Sequence, residues 1–312
     1  MRNISFIFFT FLLIANCLVP TSIFSQHITF EKWYDYGFGE EGNCVQQTSD
    51  GGYIIAGEQI VTMGVSKNLL VKTDSTGNVM WFKLFGGTSD NLLNAIRQTT
   101  DGGFIMTGQS TGMQANYYDI TWLKTDSNGD TVWTRKLTPP VNSIGIPTGA
   151  GEDILQTSDG GYMVLATSWD TTTASMIIKT DSNGNILWTK RYSYPNPGII
   201  SKSMRQTTDG GFILGGYISL PGSPPPPEQV FLVKTDSSGD TLWTKILHSP
   251  YHEAAWRVEP INGGYFISGR GSYNNIYSDI FIAKTNTNGD TLWTKKFGGS
   301  SADDAGTNWR CV

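Results

Sequence analysis

Histidine and cysteine are scarce in this protein, with three of each in 312 residues. A zinc-dependent enzyme needs several such ligands converging on one point. The only close pair, His248 and His252, flanks Pro250 in a stretch without helical pattern. A surface loop accounts for that pair better than a metal site does. A Ser-His-Asp arrangement would have one candidate base region, and no Gly-x-Ser-x-Gly elbow accompanies it. Positive charge is also short, with 22 Lys and Arg against 27 Asp and Glu. Nucleic-acid binding, which needs clustered positive charge, is therefore not expected. No long segment carries a 3.6-residue apolar period, which excludes solenoids of helix pairs.

The one long apolar run, Ile4 to Val19, follows Arg2 and precedes Pro20 and the small residues before Gln26. Residues 1–25 read as a secretory signal peptide, with cleavage expected near Ser25 and Gln26. The rivals are an uncleaved anchor, for which the run is short, and a lipoprotein signal ending at Cys17. Removing the leader takes one Arg and no acid, so 21 basic residues face 27 acidic ones and the net charge moves from −5 to −6. Cys44 and Cys311 remain. Two thiols are no disulfide framework, and the plain reading is two small buried residues.

What the sequence has in abundance is a repeat. Lys124-Thr125-Asp126-Ser127-Asn128-Gly129-Asp130-Thr131-Val132-Trp133 recurs in altered form ending at Trp81, Trp188, Trp243 and Trp293, at spacings of 52, 55, 55 and 50 residues. Each copy puts an apolar run before a polar Gly turn and a Trp-bearing run after it, which predicts a β-hairpin. A second hairpin precedes it in each repeat, built on the turns at Asp50-Gly51-Gly52, Asp101-Gly102-Gly103, Asp159-Gly160-Gly161, Asp209-Gly210-Gly211 and Asn262-Gly263-Gly264. Four strands, here called a to d, repeated five times at about 50 residues, predict a β-propeller of four-stranded antiparallel blades. The Trp indole suits a position where one sheet docks on the next.

The ends extend the pattern. His27 to Tyr34 aligns with Asn78 to Phe85, with Phe30 in the Trp slot, so the mature protein is expected to begin with a lone strand d. Ala305 to Arg310 matches the approach to strand a at Ala254 to Arg257. The expectation is one domain over residues 26–312, with five complete repeats, a lone N-terminal strand and a truncated sixth repeat. A five-bladed ring with ragged ends is the alternative.

The Asp-Ser-x-Gly-x-x-x-Trp stretch resembles the tryptophan-docking repeat of quinoprotein-like propellers. The wider pattern, Gln-Thr-x-Asp-Gly-Gly followed by Lys-Thr-Asp-x-x-Gly-Asp-x-x-Trp, resembles secreted bacterial β-propeller repeat proteins, including type IX secretion cargo. The resemblance implies a secreted or cell-surface protein and says little about activity, since such folds host many functions. The quinone-dependent enzymes among the proteins it resembles use adjacent cysteines, which are absent here, and no cofactor is expected.

Candidate chemistry is thin. The Asp126 to Asp130 turn partly resembles a calcium loop but lacks a downstream Glu, and a hairpin turn explains it. The acids Glu40, Glu41, Asp90, Glu152, Asp153, Glu253, Asp303 and Asp304 in the d-to-a connections read as solvated loop residues. Arg97, Arg205, Arg257 and Arg310 recur in strand a and are expected to pair with acceptors near the channel. The tract Pro221 to Pro227 reads as a stiff loop rather than a polyproline ligand. The variable b-to-c and d-to-a connections should share one face, where recognition usually resides. They carry Tyr117, Tyr118, Trp169, Tyr194, Tyr251, Tyr273, Asn274 and Tyr277, rings and an amide suited to a glycan or a protein partner. The expected function is a non-catalytic binding or structural module. The alternative is an extracellular polysaccharide hydrolase or lyase, and no membrane span is expected once the signal is removed.

Overall fold

The computed structural model describes residues 32–35, 39–62, 65–86, 91–111, 118–140, 148–169, 173–194, 198–219, 228–272 and 279–298. All of them belong to one compact unit, Lys32–Val312. Among the described residues there is no helix. Among these residues twenty strands form five blades. Blade one holds β1 (Glu40–Gln47), β2 (Tyr53–Thr62), β3 (Val65–Thr73) and β4 (Val79–Phe85). Blade two holds β5 (Asn91–Gln98), β6 (Phe104–Thr111), β7 (Tyr118–Thr125) and β8 (Thr131–Leu137). Blade three holds β9 (Gly149–Gln156), β10 (Tyr162–Trp169), β11 (Thr173–Thr180) and β12 (Ile186–Tyr192). Blade four holds β13 (Ile199–Gln206), β14 (Phe212–Ser219), β15 (Glu228–Thr235) and β16 (Thr241–Leu247). Blade five holds β17 (His252–Ile261), β18 (Gly264–Ser272), β19 (Asp279–Thr285) and β20 (Thr291–Phe297). Within each sheet the strands lie in sequence order with antiparallel neighbours, and strand a of each blade meets strand a of the next. This is the β-propeller architecture that the repeat predicts.

Burial explains the layering. The middle strands are apolar on both faces, as Leu123 and Ile120 of blade two and Ile177-Ile178 of blade three are, because these blades pack between two others. The outer strands alternate between half-buried and exposed, with Trp81, Trp133, Trp188 and Trp243 on the inner-facing side. These tryptophans are half-buried, because strand d has solvent behind it.

The Asp-Gly-Gly turns of the first four blades are built around a buried lysine. Asp50, Asp101, Asp159 and Asp209 each accept from a Thr hydroxyl two residues back and from the second Gly amide at 3.0 Å. Each also pairs with a lysine of strand c, Lys72, Lys124, Lys179 or Lys234, at 2.8 to 2.9 Å. The second glycine leaves the path for that lysine: a Cβ on Gly103 would lie 2.2 Å from the Thr125 carbonyl oxygen and 2.5 Å from Lys124 Nζ. Blade five departs from the pattern. Its turn is one residue shorter, with Ile261 opposite Gly264, and Asn262 stands where the aspartate would be.

That shortening moves the strand-a register. The partner of Ile105 is Arg97 and that of Ile213 is Arg205, but the equivalent Phe266 faces Glu259, not Arg257. The arginines therefore do not form one regular ring, as the sequence spacing suggested. Arg257 occupies the slot held by Cys44, Ala95, Asp153 and Ser203 in the other blades.

Candidate functional site

Every strand a is bulged at one equivalent place, and the extra residues are Asn43, Asn94, Glu152, Lys202 and Trp256. A bulge re-aims a side chain, and here it aims four of them from blade to blade. Asn43 donates to the Leu93 carbonyl at 3.0 Å and Asn94 to the Gly151 carbonyl at 2.8 Å. Lys202 pairs with Glu152 at 2.8 Å, both nearly buried. The next layer repeats the device with the following residue. Cys44 Sγ accepts from the Ile96 amide, Asp153 from the Met204 amide and Ser203 from the Val258 amide, each one blade further on.

The inner carboxylates are thus engaged. Asp153 holds Arg97 at 2.9 Å and Arg205 at 2.8 Å, and Glu259 holds Arg205 at 2.9 Å and Arg257 at 2.7 Å. Burial pulls the Arg97 guanidinium downward and outweighs the opposing pull of Asp153. Glu152, Asp153 and Glu253 are buried in ion pairs rather than solvated in loops, which corrects the sequence reading. Cys44 is a second correction: it is disulfide-bonded rather than a free buried thiol.

A groove of about 380 Å³ breaks the repeat symmetry where β16 leads into β17. It is lined by His248, Ser249, Tyr251, Glu253 and Lys296, among others. Lys296 lies on the outermost strand yet reaches Glu253 on the innermost at 2.9 Å. It does so because Gly271 has no side chain: a Cβ there would sit 3.0 Å from Lys296 Cε. The Tyr251 ring covers the ammonium at 4.2 Å, and Ser249 donates to Glu253 at 2.9 Å. His252 accepts from the Glu228 amide. Among the described residues no three His, Cys, Asp or Glu side chains converge as a metal site would require. The turns between strands c and d are closed on themselves, with Asp126 Oδ1 accepting from the Asn128 and Asp130 amides at 2.9 Å.

Of the aromatic set expected on the variable face, two are linked to one residue, Thr148. Tyr118 opens β7 and bridges to Thr148, and the Trp169 amide donates to the Thr148 carbonyl at 2.9 Å. Both rings are half-buried at the end of the interface between blades two and three. Tyr194 stands apart, 39% exposed and edge-on to Phe231 at 6.3 Å. Tyr251 lies in the groove just described. Tyr117, Tyr273, Asn274 and Tyr277 fall outside the described residues. Sequence reasoning missed the groove around Glu253 and Lys296, because its decisive feature is the absent side chain of Gly271, on a strand between the two charges.

No protein-family model matches this protein, and no curated protein matches it either. Solved structures do. A protein of unknown function from Dyadobacter fermentans DSM 18053 aligns over 85% of both chains with a TM-score of 0.55 at 12% identity. A putative exo-beta-1,3-galactanase from Bifidobacterium bifidum s17 covers 83% of this protein and 91% of its own length, with a TM-score of 0.48 at 13% identity. The GH43 endo-arabinanase from Bacillus licheniformis covers 80% and 96%, with a TM-score of 0.42 at 12% identity. At such identities the likeness concerns the fold alone.

Proposed function

We propose that this protein is a non-catalytic, secreted or cell-surface propeller that binds a glycan or protein partner through the face carrying its variable loops. The observation that carries the reading is the fate of the inner carboxylates. A glycosidase needs two carboxyl groups free to act as acid and as base or nucleophile. Here Glu152, Asp153, Glu253 and Glu259 are each held by a lysine or arginine within 2.7 to 2.9 Å. The rings that remain available at the loop face, Tyr118, Trp169 and Tyr194, suit stacking on a sugar or packing against a protein. The disulfide at Cys44 supports an oxidising compartment, in keeping with the expected signal peptide.

The alternative, a polysaccharide-acting hydrolase or lyase, is favoured by one observation: the groove at Tyr251 and Glu253 departs from the repeat in the way a reaction site would. Incubation with xylan, arabinan, mannan and pectin, followed by a reducing-end assay and an ultraviolet assay for unsaturated ends, separates the two. Binding without new ends supports the first reading. New ends that disappear in Glu253→Gln support the second.

A further inference from the structure

A glutamine ties the turn between strands a and b to the next blade. Gln98, the last residue of β5, accepts from the Ser49 amide of blade one at 2.8 Å. Gln156, the last residue of β9, accepts from the Thr100 amide of blade two at 2.9 Å. Register fixes the slot, because the glutamine faces the first aromatic of strand b: Gln98 faces Phe104 and Gln156 faces Tyr162. Gln206 holds the same slot in blade four, opposite Phe212, and its amide donates to the Gly210 carbonyl of its own turn at 3.4 Å.

Blade five breaks this series. Opposite Tyr265 stands Pro260, which has no carboxamide, and the turn after it is one residue short. Thr208 precedes its turn aspartate as Ser49 and Thr100 precede theirs. Its amide has no acceptor among the described residues. A cleft of about 550 Å³ opens there, lined by Thr208, Asp209, Trp243, Pro260, Ile261 and Asn262, among others. It lies among the a-to-b and c-to-d turns, at the end of the blades opposite the variable loops. Its size is that of a small-molecule site. Its walls are of two kinds. Pro260 and the exposed Ile261 offer apolar surface. The Thr208 amide, Asn262 and the Asp209 carboxylate, more than half exposed, offer hydrogen-bonding groups.

We propose that this cleft binds an N-acetylated amino sugar. The acetamido carbonyl takes from the Thr208 amide the bond that Gln98 and Gln156 take at the earlier turns. The acetamido N–H and the ring hydroxyls meet Asp209 and Asn262. The apolar face of the ring lies on Pro260 and Ile261, beside the Trp243 indole. The protein's own glutamines show that the slot takes a carboxamide, and the cleft has room for a ring attached to it. A sugar ring, apolar on one face and hydroxylated at its rim, matches walls of both kinds. The proposal does not rest on what the variable-loop face binds.

Calorimetric titration with N-acetylglucosamine and triacetylchitotriose, against glucose and cellotriose, tests it. Thr208 is the second residue of a turn closed by the Gly210 amide on the Thr207 carbonyl at 2.9 Å, a place that suits proline. Thr208→Pro therefore removes the donor and keeps the turn. The acetylated sugars should bind and the others should not. Thr208→Pro should weaken binding about tenfold. Pro260→Gln, which restores the internal carboxamide, should abolish it, with Tm within a few degrees of the parent. Tyr118→Ala with Trp169→Ala, on the opposite face, should leave it unchanged. Should Thr208→Pro fail to fold, Pro260→Gln and the sugar comparison decide. No binding of either acetylated sugar, equal binding of glucose and cellotriose, or binding that survives Pro260→Gln would overturn the proposal. So would binding lost in the opposite-face double variant, or binding of a glutamine tripeptide in place of the sugars.

Discussion

Arg205 of blade four donates to Asp153 of blade three across 2.8 Å, and Asp153 is all but inaccessible to solvent. The same carboxylate takes Arg97 of blade two on its other oxygen. One aspartate therefore bridges two guanidinium groups from the blades on either side, and Glu259 supplies a second negative charge to the cluster through Arg205. Removing one partner of a buried ionic group costs about 3–5 kcal/mol, because the charge left behind has no water. Asp153→Ala should lower stability by about that amount in urea unfolding. Ser203→Ala, which removes one neutral hydrogen bond to Val258, should cost about 1 kcal/mol. Equal losses at the two sites would mean that the ion network does not bind the blades.

Acid should loosen the repeat turns. Hydrogen bonds from Lys179 and Thr157 hold Asp159 at about 2, and Lys234 and Thr207 do the same for Asp209. At Asp101 burial pushes upward, but hydrogen bonds from Thr99, Lys124 and Gly103 win and leave it at about 2. Asp50, bonded first by Lys72, lies lower still. A carboxylate held below its unfolded value of about 4 stabilises the fold above that pH, and the contribution fades as pH falls toward about 2. These carboxylates are more than half exposed, so solvent screens the effect at each site. Tm should drop across that acid window. Asn at the four positions should lower Tm at neutral pH and flatten its acid dependence. An unchanged acid profile in the four-Asn variant would contradict the assignment.

The tryptophan ladder should be graded. Trp133→Ala removes a half-buried ring packed on Gly184 and Tyr162 and should cost about 2–3 kcal/mol, less than a fully buried aromatic. Trp293→Ala removes a ring that touches only its own blade among the described residues and should cost less than about 1 kcal/mol. Denaturant midpoints of the two variants decide it. Similar losses would show that the indoles act within blades rather than between them.

The architecture was legible because it rests on local chemistry repeated five times. Asp-Gly turns, a lysine shortly before a Gly turn, and a tryptophan after it each act within a few residues of one another. The N-terminal alignment was legible in part for the same reason: Lys32 and Tyr34 reach the first Gly turn at Asn78 and Gly77, as their places in the alignment predict. What the sequence hid depends on register. The turn at Asn262 is one residue shorter, and Arg257 stands one residue further from it than Arg97 and Arg205 stand from Asp101 and Asp209, so that Glu259 fills the arginine slot. The bulge that aims Glu152 at Lys202 also leaves no mark in the sequence. Of the candidate ligand residues that are described, Tyr118 and Trp169 both reach the backbone of Thr148, a link between two blades that no spacing rule reports.

The central claim is that the variable-loop face binds and does not cleave. Affinity electrophoresis through gels containing xylan, arabinan, mannan or pectin, with reducing ends measured in the same gel, tests it directly. The account predicts that at least one polysaccharide retards the protein without new reducing ends. Tyr118→Ala together with Trp169→Ala, two residues joined at Thr148, should abolish the retardation while leaving Tm within a few degrees of the parent. Retardation that survives that double change, accompanied by new reducing ends that vanish in Glu253→Gln, would contradict it.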